Sequence, residues 1–252
     1  MKRIMMSLAV TGAVVVLAAC GNTPAPGTQA AAASTAAATT TLTQADLGKK
    51  VQEALLKKGT FRVVSTTAGA DPSTLTADVK LTGSTPEFVV TADGMTVLGA
   101  GGQLYGQGKG ISDGPQWVKH DAKKTGVDAL TGAMIQLIAW QAQPQQFLAG
   151  SSYATQFTTA AGPAVNGVAT TQYNLTIDLQ KAAQAKAFGD SVTAESLAKN
   201  KTTTLTAKVL LDADSLPRKI DYTLGEDTGT STFTNFGTPV VIAAPPIDKV
   251  AK

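Results

Sequence analysis

Cys20 is the only cysteine of the chain and lies in the segment Leu17-Ala18-Ala19-Cys20-Gly21. One cysteine excludes an internal disulfide framework and any multi-cysteine metal site, and it leaves a single thiol where small neighbours favour proteolytic cleavage. His120 is the only histidine and precedes Asp121, so any hydrolase triad would have to be built around it. Gly150-Ser151-Ser152-Tyr153-Ala154 lacks the closing glycine of a nucleophile elbow, and His120 reads as a surface residue. The run Gly99-Ala100-Gly101-Gly102-Gln103-Leu104 ends in Leu where a dinucleotide fingerprint needs Gly; it reads as a hairpin turn whose glycines supply positive φ. Asp212-Ala213-Asp214 is followed by Leu216 and Pro217 where a calcium loop needs a ligand and a glycine, so a tight turn is expected. The inventory predicts no catalytic residue, no metal site and no cofactor.

The surroundings of Cys20 point to export. Lys2 and Arg3 precede an uncharged apolar stretch that ends at Ala19, the layout of a signal peptide over residues 1–19. The stretch is shorter than the roughly 20 residues a helix needs to cross a bilayer. Leu17-Ala18-Ala19-Cys20 resembles the bacterial lipobox, and that resemblance implies diacylglyceryl transfer to the Cys20 sulfur, cleavage before it and acylation of the new amine. Each buried methylene contributes about 0.8 kcal/mol, so two or three chains would hold the protein at the extracytoplasmic face of the cell membrane. Residues 20–44 then form an Ala-, Thr- and Pro-rich segment without charge, a composition that reads as a flexible tether with a reach of about 25 to 30 Å.

Residues 45–252 read as one domain. Loss of Lys2 and Arg3 takes the formal net charge from +3 nearly to neutrality, and the remaining basic residues are scattered, which argues against nucleic acid as a partner. The lysine pairs at 49–50, 57–58 and 123–124 read as solvated surface.

Strands must carry most of this domain. Leu75, Ala77, Val79 and Leu81 alternate with Thr76, Asp78 and Lys80, the period of a half-buried strand. The same period recurs at residues 173–179, 205–211 and 220–224, and shorter runs at 61–66, 88–91, 96–98, 103–105, 116–119, 154–159 and 230–236 are separated by Gly, Pro, Asp and Asn. The pattern predicts a large antiparallel sheet with one apolar face and one rich in Thr, Lys and Asp. Residues 42–58 predict an amphipathic helix with Thr43 as N-cap and Gly59 as stop. Residues 127–140 predict a helix apolar on nearly all sides, of the kind buried on more than one face. Two short helices are expected at 179–188 and 193–199.

Several segments together resemble the LppX/LprAFG family of actinobacterial lipoproteins. They are Gly102-Gln103-Leu104-Tyr105, Gly114-Pro115-Gln116-Trp117-Val118-Lys119, Leu211-Asp212-Ala213-Asp214-Ser215-Leu216-Pro217-Arg218-Lys219 and the terminal Phe236-Gly237-Thr238-Pro239-Val240-Val241-Ile242-Ala243-Ala244-Pro245-Pro246. The resemblance implies an α+β fold like that of the LolA and LolB carriers: a single strongly curved antiparallel sheet, a half-barrel, with helices covering its concave apolar face. It implies a cavity for the acyl chains of a lipid or glycolipid carried across the cell envelope, with a membrane exporter as a possible partner. The candidates to line that cavity are Val127, Leu130, Met134, Ile135, Ile138 and Trp140 on the helix, and Leu205, Val209, Ile220, Tyr222 and Leu224 on the strands. The competing expectation is a ligand-free adaptor with a dry interior, anchored at the membrane and docking a membrane-bound or secreted partner.

Overall fold

Alternation places every second side chain of a strand on one face, and in the computed structural model eleven such strands join in a single antiparallel sheet. The structure describes residues 41–69, 72–81, 85–112, 114–120, 132, 135, 143–189, 193–199 and 202–251. The strands are β1 (Thr60–Ala68), β2 (Ser73–Lys80), β3 (Glu87–Ala92), β4 (Met95–Ala100), β5 (Gln103–Gly108), β6 (Val118–Lys119), β7 (Ala154–Val165), β8 (Val168–Asp178), β9 (Thr204–Leu211), β10 (Pro217–Leu224) and β11 (Asp227–Thr234). Their order is β6-β5-β4-β3-β2-β1-β11-β10-β9-β8-β7. The sheet is open and curved, with β6 and β7 as its edges. All eleven coincide with segments predicted from the sequence.

The two faces differ as the alternation requires. Val63, Ala77, Val79, Val90, Val97, Ile177, Leu205 and Val209 point to one side and have no accessible surface. On the other side opposite charges face each other across neighbouring strands: Arg62 with Asp78 at 2.7 Å, Lys80 with Glu87 at 2.7 Å and Lys208 with Asp221 at 3.3 Å. Each such pair contributes only about 0.2–1 kcal/mol but fixes the strand register.

Helix α1 (Leu47–Lys58) lays Leu47, Val51 and Leu55 inward, and Gly59 at φ 76° ends it by donating its N–H to the Leu55 carbonyl. It begins later than expected. The Thr43 hydroxyl bonds the Asp46 carboxylate at 2.6 Å, Leu42 N–H donates to the Tyr173 hydroxyl, and the Gln44 amide donates to the Ala154 carbonyl. These contacts hold residues 42–46 in a turn against β7 and β8 rather than in the helix. A 3-10 helix, Pro144–Tyr153, was not foreseen; it buries Phe147 and Leu148 and packs against α1. α2 (Leu179–Gln184) is capped by Asp178, whose carboxylate accepts the Lys181 N–H at 3.0 Å, and stops short of the predicted Phe188. α3 (Ala194–Lys199) matches expectation. Of the predicted helix at 127–140, Gly132 and Ile135 are helical and the rest lie outside the described residues, as do Cys20 and the leader and tether up to residue 40.

α1 and the 3-10 helix touch without clearance. A Cβ on Gly48 would stand 2.2 Å from the Leu148 carbonyl oxygen, a backbone atom that cannot rotate away. Gly48→Ala is expected to cost about 1–3 kcal/mol as overpacking, read as a lowered urea midpoint; an unchanged midpoint would mean that the two elements are not seated together in solution.

The tail after β11 was also not foreseen as a structural element. Gly237 N–H bonds the Thr60 carbonyl and the Thr60 hydroxyl bonds the Thr238 carbonyl at 2.7 Å, which sends the chain across the polar side of β2 to β5. Val240 and Ile242 pack there against Val89, Leu98, Ala100, Tyr105 and Trp117, forming a second, small core. That explains why β4 is buried on both faces from Val97 to Ala100.

Candidate functional site: the covered apolar face

Among the described residues the buried strand side chains of the apolar face carry no charge; Asp227, opposite Leu224, stands exposed at its rim. Its deep polar groups among the described residues include Ser65 and Ser231, facing residues of β1 and β11 that satisfy each other at 2.8 Å. The shared bond gives each of these two buried hydroxyls a partner.

The candidate residues on strands fall on this face. Leu205, Val209 and Ile220 are buried, with 0%, 0% and 1% of their surface accessible. Tyr222 and Leu224 are half-buried against the same core. Tyr222 faces Gly229 across the β10–β11 pair, and a Cβ there would stand 2.2 Å from its ring carbon. Glycine thus lets the ring lie down on the strand. Its other neighbour is Phe147 of the 3-10 helix, with ring centroids 5.6 Å apart. Burial, with a smaller contribution from Asp227, pushes the Tyr222 phenol above its ordinary value.

Among the helix candidates Ile135 is described. It is fully buried, and its side chain reaches β5 at Gly106, where a Cβ would stand 2.7 Å from the isoleucine Cδ1. Val127, Leu130, Met134, Ile138 and Trp140 lie outside the described residues. The sequence reading missed the 3-10 helix as part of the cover: it supplies Phe147 and Leu148, and also Gln145, which is buried with its side-chain oxygen lacking a hydrogen-bond partner among the described residues. The three glutamines at 143, 145 and 146 gave no apolar period by which to find it.

His120 is half-buried rather than a surface residue, because its ring is set against Gly132, where a Cβ would stand 2.3 Å from Nδ1. Asp212 forms the expected tight turn. A hollow of about 510 Å³ lies on the opposite, polar face, lined by Thr66, Thr206, Thr223 and Thr230 with the Lys208–Asp221 pair. It also reaches Ala207, Gly229 and the candidate Tyr222. Among the described residues no helix is long and apolar enough to cross a membrane, and no three metal-binding side chains cluster.

No protein-family model matches the chain, and no curated protein matches it in sequence. Solved structures do resemble it. Over 79% of this chain and 97% of the other, it superposes on the lipoprotein LppX of Mycobacterium tuberculosis with a TM-score of 0.51 and 16% identity. LprF of Mycobacterium bovis follows over the same shares with a TM-score of 0.48 and 15% identity. A LolA superfamily protein of Nitrosomonas europaea aligns over 83% of this chain and 97% of the other, with a TM-score of 0.29 and 10% identity. The chain shares the LppX fold.

Proposed function

We propose that this protein is an acylated envelope lipoprotein that binds the acyl chains of a lipid or glycolipid between its apolar sheet face and the helices above it, and carries them across the envelope. One observation carries the reading. Eight strands, β1 to β4 and β8 to β11, contribute buried apolar side chains to one core, with the half-buried Leu104 of β5 packed against it, and its described cover is short helices rather than a second sheet. A sheet packed on another sheet is held along its whole area, whereas α1 rests on β1, the 3-10 helix on β8 and β10, and α2 on β8 and β9, contacts between side chains that can part with few backbone hydrogen bonds lost. Leu205 and Val209 have no accessible surface, so acyl chains reach them only when the cover lifts. The likeness to LppX, a lipoprotein, and the lipobox-like segment before Cys20 support the anchor.

The same closed positions favour a second reading, an anchored adaptor with a dry interior. Chain made without acylation, as Cys20→Ser, and purified from a lipid-containing host separates the two. A carrier releases close to one lipid per protein into organic solvent, counted by mass spectrometry; protein that comes up empty sinks the carrier.

A further inference from the structure

The two edges of the sheet are finished differently. β6 is two residues long, and the tail closes over it: Trp117 N–H bonds the Lys249 carbonyl, Ala251 N–H bonds the Trp117 carbonyl, and Trp117 bridges Val250 in parallel. β7 is twelve residues long and, among the described residues, pairs with β8 on one side only. Its register is unbroken from Gln156 to Gly162. Gln156, Thr158, Thr159, Ala160 and Ala161 are exposed, and among the described residues no backbone hydrogen bond outside the β7–β8 ladder involves this stretch.

An open edge of that length is normally protected by lysines, proline, bulges, shortness or a covering loop. β7 has Pro163 and a register shift near each end, but from Gln156 to Gly162 it shows none of these among the described residues. From residue 129 to residue 177 the chain has no Asp, Glu, Lys, Arg or His at all, although charged residues make up 15% of the whole. Among the described residues the fold therefore blunts one edge and leaves the other neutral, with a regular stretch from Gln156 to Gly162.

We propose that β7 is a docking edge that takes a second copy of this chain, the two β7 strands pairing antiparallel about a two-fold axis perpendicular to the sheet. Unpaired N–H and C=O groups supply the hydrogen bonds of strand addition. Antiparallel pairing of a strand with itself is self-complementary, so one patch serves both partners. Neutrality removes the like-charge contacts that self-pairing would otherwise create, and Thr and Ala on both faces allow the strands to approach. The edge is independent of the carrier reading; only one supporting factor rests on the acyl anchor, namely that two copies held on one membrane meet at a raised effective concentration.

The test uses the full acylated chain in its host membrane, with single cysteines introduced in turn from Thr155 to Ala161 and oxidised with copper phenanthroline. At the two-fold axis one residue faces its own copy at about 4.5–5.5 Å between Cα atoms, inside the roughly 4.4–6.8 Å a disulfide spans. A residue one step away lies about 7–8 Å from its own copy. A linked dimer is expected at one position, with its yield at least about tenfold lower at the neighbours. Thr159→Lys in both copies should abolish it, and mixing Thr159→Lys with Thr159→Glu chains should restore it. Absent or uniform linking along the strand, yields no better than a cysteine at Lys109, or linking to a different protein would overturn the proposal.

Discussion

Asp212→Ala is expected to lower the unfolding free energy by about 3–5 kcal/mol, the cost of removing one partner from a buried charge pair. Asp212 closes the β9–β10 turn. Its carboxylate accepts the N–H groups of Asp214 and Leu216, both at 2.9 Å, and two Arg218 nitrogens at 2.9 and 2.6 Å. The guanidinium in turn lies 5.0 Å above the Phe236 ring, where the tail begins. Truncation strands two backbone donors and leaves Arg218 without its counter-charge. Asp212→Asn keeps an acceptor for the backbone and should lose less, about 1.5–3 kcal/mol, the worth of bonds to a charged group. The comparison is made by urea unfolding of all three chains. An Asp212→Ala loss within about 0.5 kcal/mol of zero, the range of ordinary surface changes, would mean that the turn is held by its backbone alone.

The same segment shows what the sequence could and could not tell. Leu216 and Pro217 excluded a calcium loop and left a turn, which is what forms; that Asp212 would also clamp Arg218 is a contact across the turn that no spacing rule announces. The strands were legible throughout because burial of one face imposes a period of two, and Leu205-Thr206-Ala207-Lys208-Val209 writes that period plainly. β7 was expected only as far as Thr159, since Ala160-Ala161-Gly162-Pro163-Ala164 does not alternate, yet it continues to Val165 by pairing with β8. The tail across the polar face follows the same logic in reverse. A usable sign existed in the unbroken apolar run Val97-Leu98-Gly99-Ala100, which asks for cover on both faces.

The candidate site was legible to the extent that it is a face. Leu205, Val209 and Ile220 lie on the buried side because alternation puts them there. Alternation cannot distinguish a side chain that waits for hydrocarbon from one already packed by the protein, since both are apolar and both are hidden. The cover was harder to read. The 3-10 helix has no amphipathic period and is seated through Gly48 and Phe147, contacts between residues far apart in sequence.

Phe147 offers the way to separate those two states. In chain stripped of lipid, Phe147→Ala should cost about 3–5 kcal/mol, because truncating a buried aromatic forfeits its transfer energy and leaves a void the surroundings fill only in part. The void would open between the 3-10 helix and Tyr222 of β10. If acyl chains bind on this face, added dioleoylphosphatidylcholine stabilises a binding chain by about 2.7 kcal/mol at a hundredfold excess over its dissociation constant, and the variant, whose void takes up more of the acyl chain, recovers more than the parent. If the interior is a dry core, the gap between variant and parent is the same with and without lipid. Urea midpoints in the four combinations decide it, because a void is a defect to a packed core and additional room to a carrier.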